Sequence, residues 1–231
     1  MINTALVLSG GLGTRLRSIV NDRPKVLSDI NGRPFLDFIF DHFIAQNLSH
    51  VILLTGYKGK MIASHYGDSY KSLSLRYIQE DTPLGTGGAI KNAVNKIKNP
   101  LDQYLIVNGD TYFPADYSQC LKAATTEFNY IFSTKVAENE RYGTLDVDNE
   151  SKKILNFIEK AKFQDGLINS GSYYINSAQI AGFSADRFSL EHEYFSTKCG
   201  PYGNVYCTYD PALFVDIGIP SDYYHFKLIN E

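Results

Sequence analysis

Thr4-Ala5-Leu6-Val7-Leu8-Ser9-Gly10-Gly11-Leu12-Gly13-Thr14-Arg15-Leu16 is the stretch that decides how this chain reads. Five apolar-leaning residues form a buried strand, and the strand stops in glycines. A turn of this kind lines up successive backbone N–H groups at the carboxyl edge of a sheet. Glycine has no Cβ, so a phosphate can approach the backbone closely. Arg15 adds a planar donor fork that matches phosphate oxygens. The reading is a nucleotide triphosphate site, against the plainer alternative of a strand-to-helix turn that holds no ligand.

Spacing argues against two familiar phosphate loops. A dinucleotide-binding turn needs a third glycine where Leu16 stands, and an acid at the end of the following strand. That strand, His50-Val51-Ile52-Leu53-Leu54, runs instead into Thr55-Gly56-Tyr57. A P-loop needs Lys then Ser/Thr directly after its last glycine. Gly13-Thr14-Arg15 lacks the lysine, and Gly59-Lys60-Met61 lacks the hydroxyl.

Composition sets outer bounds. The 231 residues suit a single domain, expected over 1–231, with 44% hydrophobic and 20% charged residues as in ordinary globular enzymes. The net charge of −3 gives no global field toward nucleic acid or an anionic membrane, so neither is an expected partner. No apolar run is long enough to span a bilayer. The three cysteines, Cys120, Cys199 and Cys207, form no C-x-x-C pair. With no secretory signal ahead of the first strand, they read as packing thiols of a cytoplasmic protein. The five histidines show no metal-ligand spacing and read as structural or solvated. A homodimer is a fair default.

Strand and helix signals alternate. Strands are expected at 4–8, 51–54, 73–78 and 103–107, and helices at 34–46, 58–66 and 88–97, where Ala89, Ile90, Ala93, Val94 and Ile97 form an apolar stripe. This pattern predicts a mostly parallel α/β sheet with ligands at the strand carboxyl ends. Strands at 130–136, 143–147, 153–159, 169–175 and 203–208 suggest an antiparallel flap, before a terminal helix near 220–228. Residues 1–125 read as the mainly nucleotide-binding half, and 126–231 as the half for a second substrate.

Several residues could carry chemistry. Lys25, after Pro24, reaches back toward the glycine loop or is a surface lysine. Asp110 ends the strand segment Asn108-Gly109-Asp110. It either faces phosphates as a Mg²⁺ ligand or caps a following helix. Asp216, in Val215-Asp216-Ile217-Gly218, is the second candidate carboxylate, although spacing alone does not bring the two together. Glu80 stands before Asp81-Thr82-Pro83-Leu84-Gly85-Thr86-Gly87-Gly88. Its carboxylate could accept both N1–H and N2–H of guanine, or belong to an acidic surface turn. The glycines after it suggest a second backbone-lined ligand surface. Glu159-Lys160 and Asn169-Ser170-Gly171 suit a sugar phosphate and its hydroxyls, or ordinary surface; Arg141-Tyr142-Gly143 is equally open.

Taken together these segments resemble the sugar-1-phosphate nucleotidyltransferases. The family's G-G-x-G-T-R-L is matched by Gly10 to Leu16, its Pro-Lys by Pro24-Lys25, and its E-x-x-x-L-G-T-x-G by Glu80 to Gly88. Gly109-Asp110, Glu159-Lys160, Asn169-Ser170-Gly171 and Asp216 to Tyr223 follow in family order. The resemblance implies a Rossmann-like, mostly parallel mixed sheet of nucleotide-diphospho-sugar transferase type, with a small antiparallel flap for the sugar. It implies that Leu8, Ser9, Gly10, Gly11, Gly13, Thr14, Arg15 and Lys25 hold the triphosphate. Glu80, Pro83, Gly85 and Thr86 would select the base, and Asp110 and Asp216 would hold Mg²⁺. Asn108, Tyr142, Gly143, Glu159, Lys160, Asn169 and Gly171 would line the sugar-phosphate pocket. Arg15, Lys25 and Asp110 would be catalytic.

The implied reaction joins an NTP and a sugar 1-phosphate to give an NDP-sugar and pyrophosphate. The attacking phosphate oxygen is already ionised, so no strong base is needed, in keeping with the lack of a His or Cys constellation. The short chain is most similar to the branch that transfers GMP from GTP to D-glycero-D-manno-heptose 1-phosphate. Mannose 1-phosphate with GTP, or another sugar with UTP, is the alternative pair. A silent nucleotide-sugar-binding subunit is a third reading, disfavoured because Arg15, Lys25, Asp110 and Asp216 are all present.

Overall fold

The apolar run becomes strand β1 (Thr4–Leu8), in which Ala5, Leu6 and Val7 are wholly buried. A strand covered on both faces needs no polar alternation, as expected inside a parallel sheet. In the computed structural model the described residues are 2–11, 14–16, 19–136, 141–159 and 166–231, with the side chains of Thr14 and Glu159 also left out. Gly13 and Lys160, both expected at the site, lie outside the described residues.

A ribbon of β2 (Asp29–Ile30) and β3 (Arg33–Pro34) leads into α1 (Phe35–Ala45). Then come β4 (His50–Thr55), α2 (Gly59–Tyr66), β5 (Ser69–Tyr70), β6 (Leu73–Gln79), α3 (Gly85–Lys96) and β7 (Gln103–Asn108). After β8 (Thr111–Tyr112) and α4 (Tyr117–Cys120), the chain forms β9 (Asn129–Thr134), β10 (Gly143–Val147), β11 (Ile154–Glu159), β12 (Leu167–Asn176), α5 (Ser177–Ala181) and β13 (Val205–Tyr209). It closes with β14 (Val215–Asp216) and α6 (Pro220–Leu228). The expected strands and helices are all present, with ends moved by a few residues. Pro34, where the helix expected over 34–46 begins, sits at the cap of α1 with extended backbone.

The chain divides into two compact units that interleave along the sequence. The first holds residues 1–83, 107–114 and 213–231; the second holds 84–106 and 115–212.

In the first unit, β1 pairs in parallel with β4 (Leu6 beside Ile52), and β4 in parallel with β6 (Ile52 beside Arg76). The end of β7 lies next to β1, where Gly109 N–H donates to the Leu8 carbonyl at 2.9 Å. Phe35, Leu36, Ile39, Phe40 and Phe43 bury one side of α1. The last helix, α6, starts with Pro220 in its first turn, where a missing N–H costs nothing. Phe226 anchors it, meeting Phe35, Phe38 and Tyr112 edge-on at 5.0–5.2 Å. Tyr223 OH donates to the Asp29 carbonyl at 2.6 Å.

In the second unit the pairing is mostly antiparallel: β10 with β11 and β12, and β12 with β9, while β13 joins β9 in parallel. The glycines that open α3 have a packing reason. Gly85 has φ +76°, and a Cβ on Gly87 would come within 2.2 Å of the Phe188 ring. The N–H groups of Gly87 and Gly88 both donate to the Phe188 carbonyl, at 3.1 and 3.2 Å. The expectation of a second backbone-lined ligand surface is therefore corrected at these two residues, whose donors are already used.

Candidate active site

Parallel register brings three strand ends to one edge of the first unit. Ser9 N–H donates to the Leu54 carbonyl, and Glu80 N–H to the Thr55 carbonyl, so the turns after β1, β4 and β6 lie side by side. Glu80 is turned in toward the glycines. A Cβ built on Gly10 would lie 3.1 Å from Glu80 Oε1, and one on Gly56 only 2.7 Å from it. Glycine at both positions is what lets this carboxylate sit against the backbone. Gly56 was not among the predicted site residues; its signal was its place directly after a buried strand.

The polar centre of the unit is a cleft of about 140 Å³ lined by Leu8, Ser9, Gly11, Arg15, Lys25, Val26, Asp110 and Gly218. Pro24 and the turn Lys25–Leu27 position the lysine: Val26 and Leu27 are buried, which leaves the Lys25 side chain to the cleft. Its Nζ lies 2.7 Å from Asp110 Oδ2 and 3.6 Å from Asp216 Oδ1. Asp110 does not cap a helix, because β8 follows it and pairs antiparallel with β14, setting Thr111 beside Asp216. The two acids thus meet, which sequence spacing could not settle. Gly218 N–H donates to Asp216 Oδ1 at 2.7 Å, and a Cβ on Gly218 would fall 2.9 Å from that oxygen.

Burial raises the Asp216 carboxyl above its ordinary range, and the neighbouring Asp110 charge adds to the rise; Lys25, the Gly218 N–H and Arg15 act against it. Like charges held close in a poorly solvated place resist ionisation. Two residues before Asp110, at the end of β7, Asn108 Oδ1 is buried with no hydrogen-bond partner among the described residues. An orphaned acceptor at a strand end is costly and calls for a ligand, water or ion.

The second unit holds most of the residues expected around the sugar. Gly143 pairs with Glu159, and Thr144 with Ile168, so the backbones of Glu159, Gly143 and Asn169 share one level across β11, β10 and β12. The space above Gly143 is taken by the Phe157 ring, 2.7 Å from where a Cβ would stand. Gly171 has φ +73° within an irregular stretch of β12, a conformation that favours glycine. Its N–H donates to Asn169 Oδ1 at 3.0 Å. Tyr142 OH accepts from Arg141 at 2.9 Å. Thr86 Oγ1 accepts from Leu190 N–H and donates to Glu191, so its hydroxyl is engaged within the protein. Gly85 lies next to it, and Pro83 ends the first of the three segments that make up the first unit.

A family model described as "Nucleotidyl transferase" matches residues 4–228. The chain is 38% identical to the D-glycero-alpha-D-manno-heptose 1-phosphate guanylyltransferase of Campylobacter jejuni, over 98% of this chain and 99% of that one. It is also 38% identical to the enzyme of the same name from Aneurinibacillus thermoaerophilus, over 95% and 94%. The crystal structure of HddC from Yersinia pseudotuberculosis complexed with GMP-PN is similar throughout, with a TM-score of 0.87, 34% identity and full coverage of both chains. Among the described residues no helix is long and apolar enough to cross a membrane.

Proposed function

Because this chain belongs to the nucleotidyl transferase family, we propose that it transfers GMP from GTP to D-glycero-D-manno-heptose 1-phosphate, releasing pyrophosphate. The observation that carries the reaction type is the convergence of Lys25, Asp110 and Asp216 on the cleft that Gly11 and Arg15 line. The choice of heptose is supported by 38% identity along nearly the whole of both chains. The choice of guanine is supported by Glu80, whose carboxylate packs on Gly10 and Gly56.

Gly10, Gly11, Gly13 and Thr14 offer backbone donors to the triphosphate, Leu8 and Ser9 line its cleft, and Arg15 and Lys25 offer charge. Glu80, Pro83, Gly85 and Thr86 form the base turn. Asn108, Tyr142, Gly143, Glu159, Lys160, Asn169 and Gly171 are assigned to the sugar phosphate. A phosphate oxygen of that sugar attacks the α-phosphorus in line, and pyrophosphate leaves with the bonding pair. The attacking oxygen is already anionic and the leaving bridging oxygen becomes so as its bond to the α-phosphorus breaks, so the protein's work is to place them and to neutralise charge.

The donor set fits Mg²⁺. Two carboxylates with no sulfur or nitrogen ligand are what this ion takes alongside phosphate oxygens, and their mutual repulsion favours a cation between them. Asp110 and Asp216 would hold it. When bound, the ion supplies further neutralisation of the phosphate charge. Lys25 Nζ stands where a cation is favoured, and moves onto phosphate oxygens as the nucleotide enters. Substrates of this kind, together with unpaired Cys120, Cys199 and Cys207, support a cytoplasmic setting.

The test is pyrophosphate release with Mg²⁺ across four NTPs and several sugar 1-phosphates. Turnover confined to GTP with the manno-heptose phosphate is expected. Turnover with GTP and mannose 1-phosphate, or with UTP, would keep the mechanism and replace the substrates. No release with any pair would sink the catalytic reading.

A further inference from the structure

Glu191 lies outside every segment that the sequence singles out, yet it is the node of a hydrogen-bond chain within the second unit. Its Oε1 accepts from Tyr173 OH at 2.9 Å. Its Oε2 accepts from Thr86 Oγ1 at 2.9 Å and Ser189 Oγ at 3.1 Å. Tyr173 OH accepts in turn from Asn169 Nδ2 at 2.8 Å, and Asn169 Oδ1 accepts from Gly171 N–H.

A carboxylate can only accept, so it fixes the direction of each bond in the chain. Tyr173 must donate to Glu191 and is left an acceptor for Asn169. This sets which end of the Asn169 amide faces the tyrosine and which hydrogen remains for a ligand. Thr86 must also donate to Glu191, while its oxygen takes the Leu190 N–H. Tyr173 is fully buried, so no water stands in cheaply for a lost partner.

We propose that Glu191 is a positioning residue that sets the Asn169 amide and the Thr86 turn at once, and so couples sugar recognition to nucleotide recognition. This rests on the roles given to Asn169 and Thr86 under the proposed function. A group that only pins residues 189–194 to α3 would change stability without touching substrate affinity.

The experiment measures KM for GTP and for the heptose phosphate, kcat and melting temperature in wild type, Glu191→Ala, Glu191→Gln and Tyr173→Phe. Loss of a hydrogen bond to a charged group is worth about tenfold in affinity. Glu191→Ala is therefore expected to raise both KM values about tenfold, with kcat changed far less. Tyr173→Phe cuts only the Asn169 branch and should raise the sugar-phosphate KM alone. Glutamine keeps the shape and one acceptor but turns donors toward Thr86 and Ser189. Glu191→Gln should thus restore the sugar-phosphate KM better than the GTP KM, and it decides the matter if the alanine variant fails to fold. Wild-type turnover with KM values unchanged in folded Glu191 variants overturns the proposal alone. Wild type that releases no pyrophosphate from this pair overturns the substrate reading, and the proposal with it.

Discussion

Ile217 N–H donates to the carbonyl of Asp110 at 3.0 Å, and this bond seats the carboxyl-terminal acid beside the strand-end acid. The ribbon of β8 and β14 continues it, and Phe226 holds the following helix in place through Phe35, Phe38 and Tyr112. Two acids from distant segments are thus brought together by backbone pairing and aromatic packing, with both carboxylates turned toward Lys25. Asp216→Asn keeps an oxygen to accept from Gly218 N–H and leaves that packing intact. It should retain the wild-type fold by circular dichroism while turnover falls at least about a hundredfold, as for loss of a charge-stabilising group. Near-normal turnover at saturating Mg²⁺ would rule out Asp216 as a metal ligand.

Lys25 answers two carboxylates at once. Lys25→Met keeps most of the side chain's volume and removes the charge, so Asp110 and Asp216 repel with only the Gly218 N–H and Arg15 to offset it. The variant should melt lower than wild type in EDTA. Added Mg²⁺ should raise its melting temperature by more than it raises wild type's, because no ammonium competes for the same oxygens. Equal Mg²⁺ shifts in the two proteins would mean that Lys25 and the ion do not share a place.

Glu80 and Gly56 make a linked prediction. Glu80→Gln loses an acceptor for one of guanine's two N–H groups and should weaken GTP relative to the other nucleotides about tenfold or more. Gly56→Ala leaves the carboxylate in the sequence but sets a methyl 2.7 Å from Glu80 Oε1, so the carboxylate must move. Competition binding should show the same loss of GTP preference in both variants. A Gly56→Ala protein with intact preference would show that the carboxylate's present seat does not matter for the base.

The strands and helices were legible because their signals are local. β1 declares itself by an unbroken apolar run, α1 by Leu36, Ile39, Phe40 and Phe43 on one face, and the loop by its glycines. Short ribbons such as β8 with β14 were not legible, since two residues carry no periodicity and the partner is remote. For the same reason Asp110 and Asp216 could each be singled out, while nothing in their spacing brings them together. Gly87 and Gly88 looked like ligand-facing backbone, yet their missing side chains make room for Phe188 and the Asp186 carbonyl. A sequence shows that a glycine is needed without showing what approaches it. Glu191 was invisible: nothing in Leu190-Glu191-His192-Glu193 sets it apart from Glu193, and what distinguishes it is which hydroxyls reach it.

Cys207 gives a prediction about alkaline stability. Burial pushes its thiol up to about 11 from an ordinary 9, with the Ser133 bond and the Lys152 charge opposing. Between those values the unfolded chain has released the proton and the native state still holds it. The unfolded state then binds fewer protons, so this contribution is intact below pH 9 and is lost as pH rises through 11. For so buried a group the full loss is about 3 kcal/mol. Melting temperature followed from pH 8 to 11 should fall more steeply in wild type than in Cys207→Ala, although the variant starts lower for want of packing. The thiol should also resist iodoacetamide in the native protein at pH 8, since the thiolate is the reactive form. Parallel pH profiles in the two proteins, or rapid alkylation of Cys207 without unfolding, would show that the thiol ionises as readily in the fold as outside it.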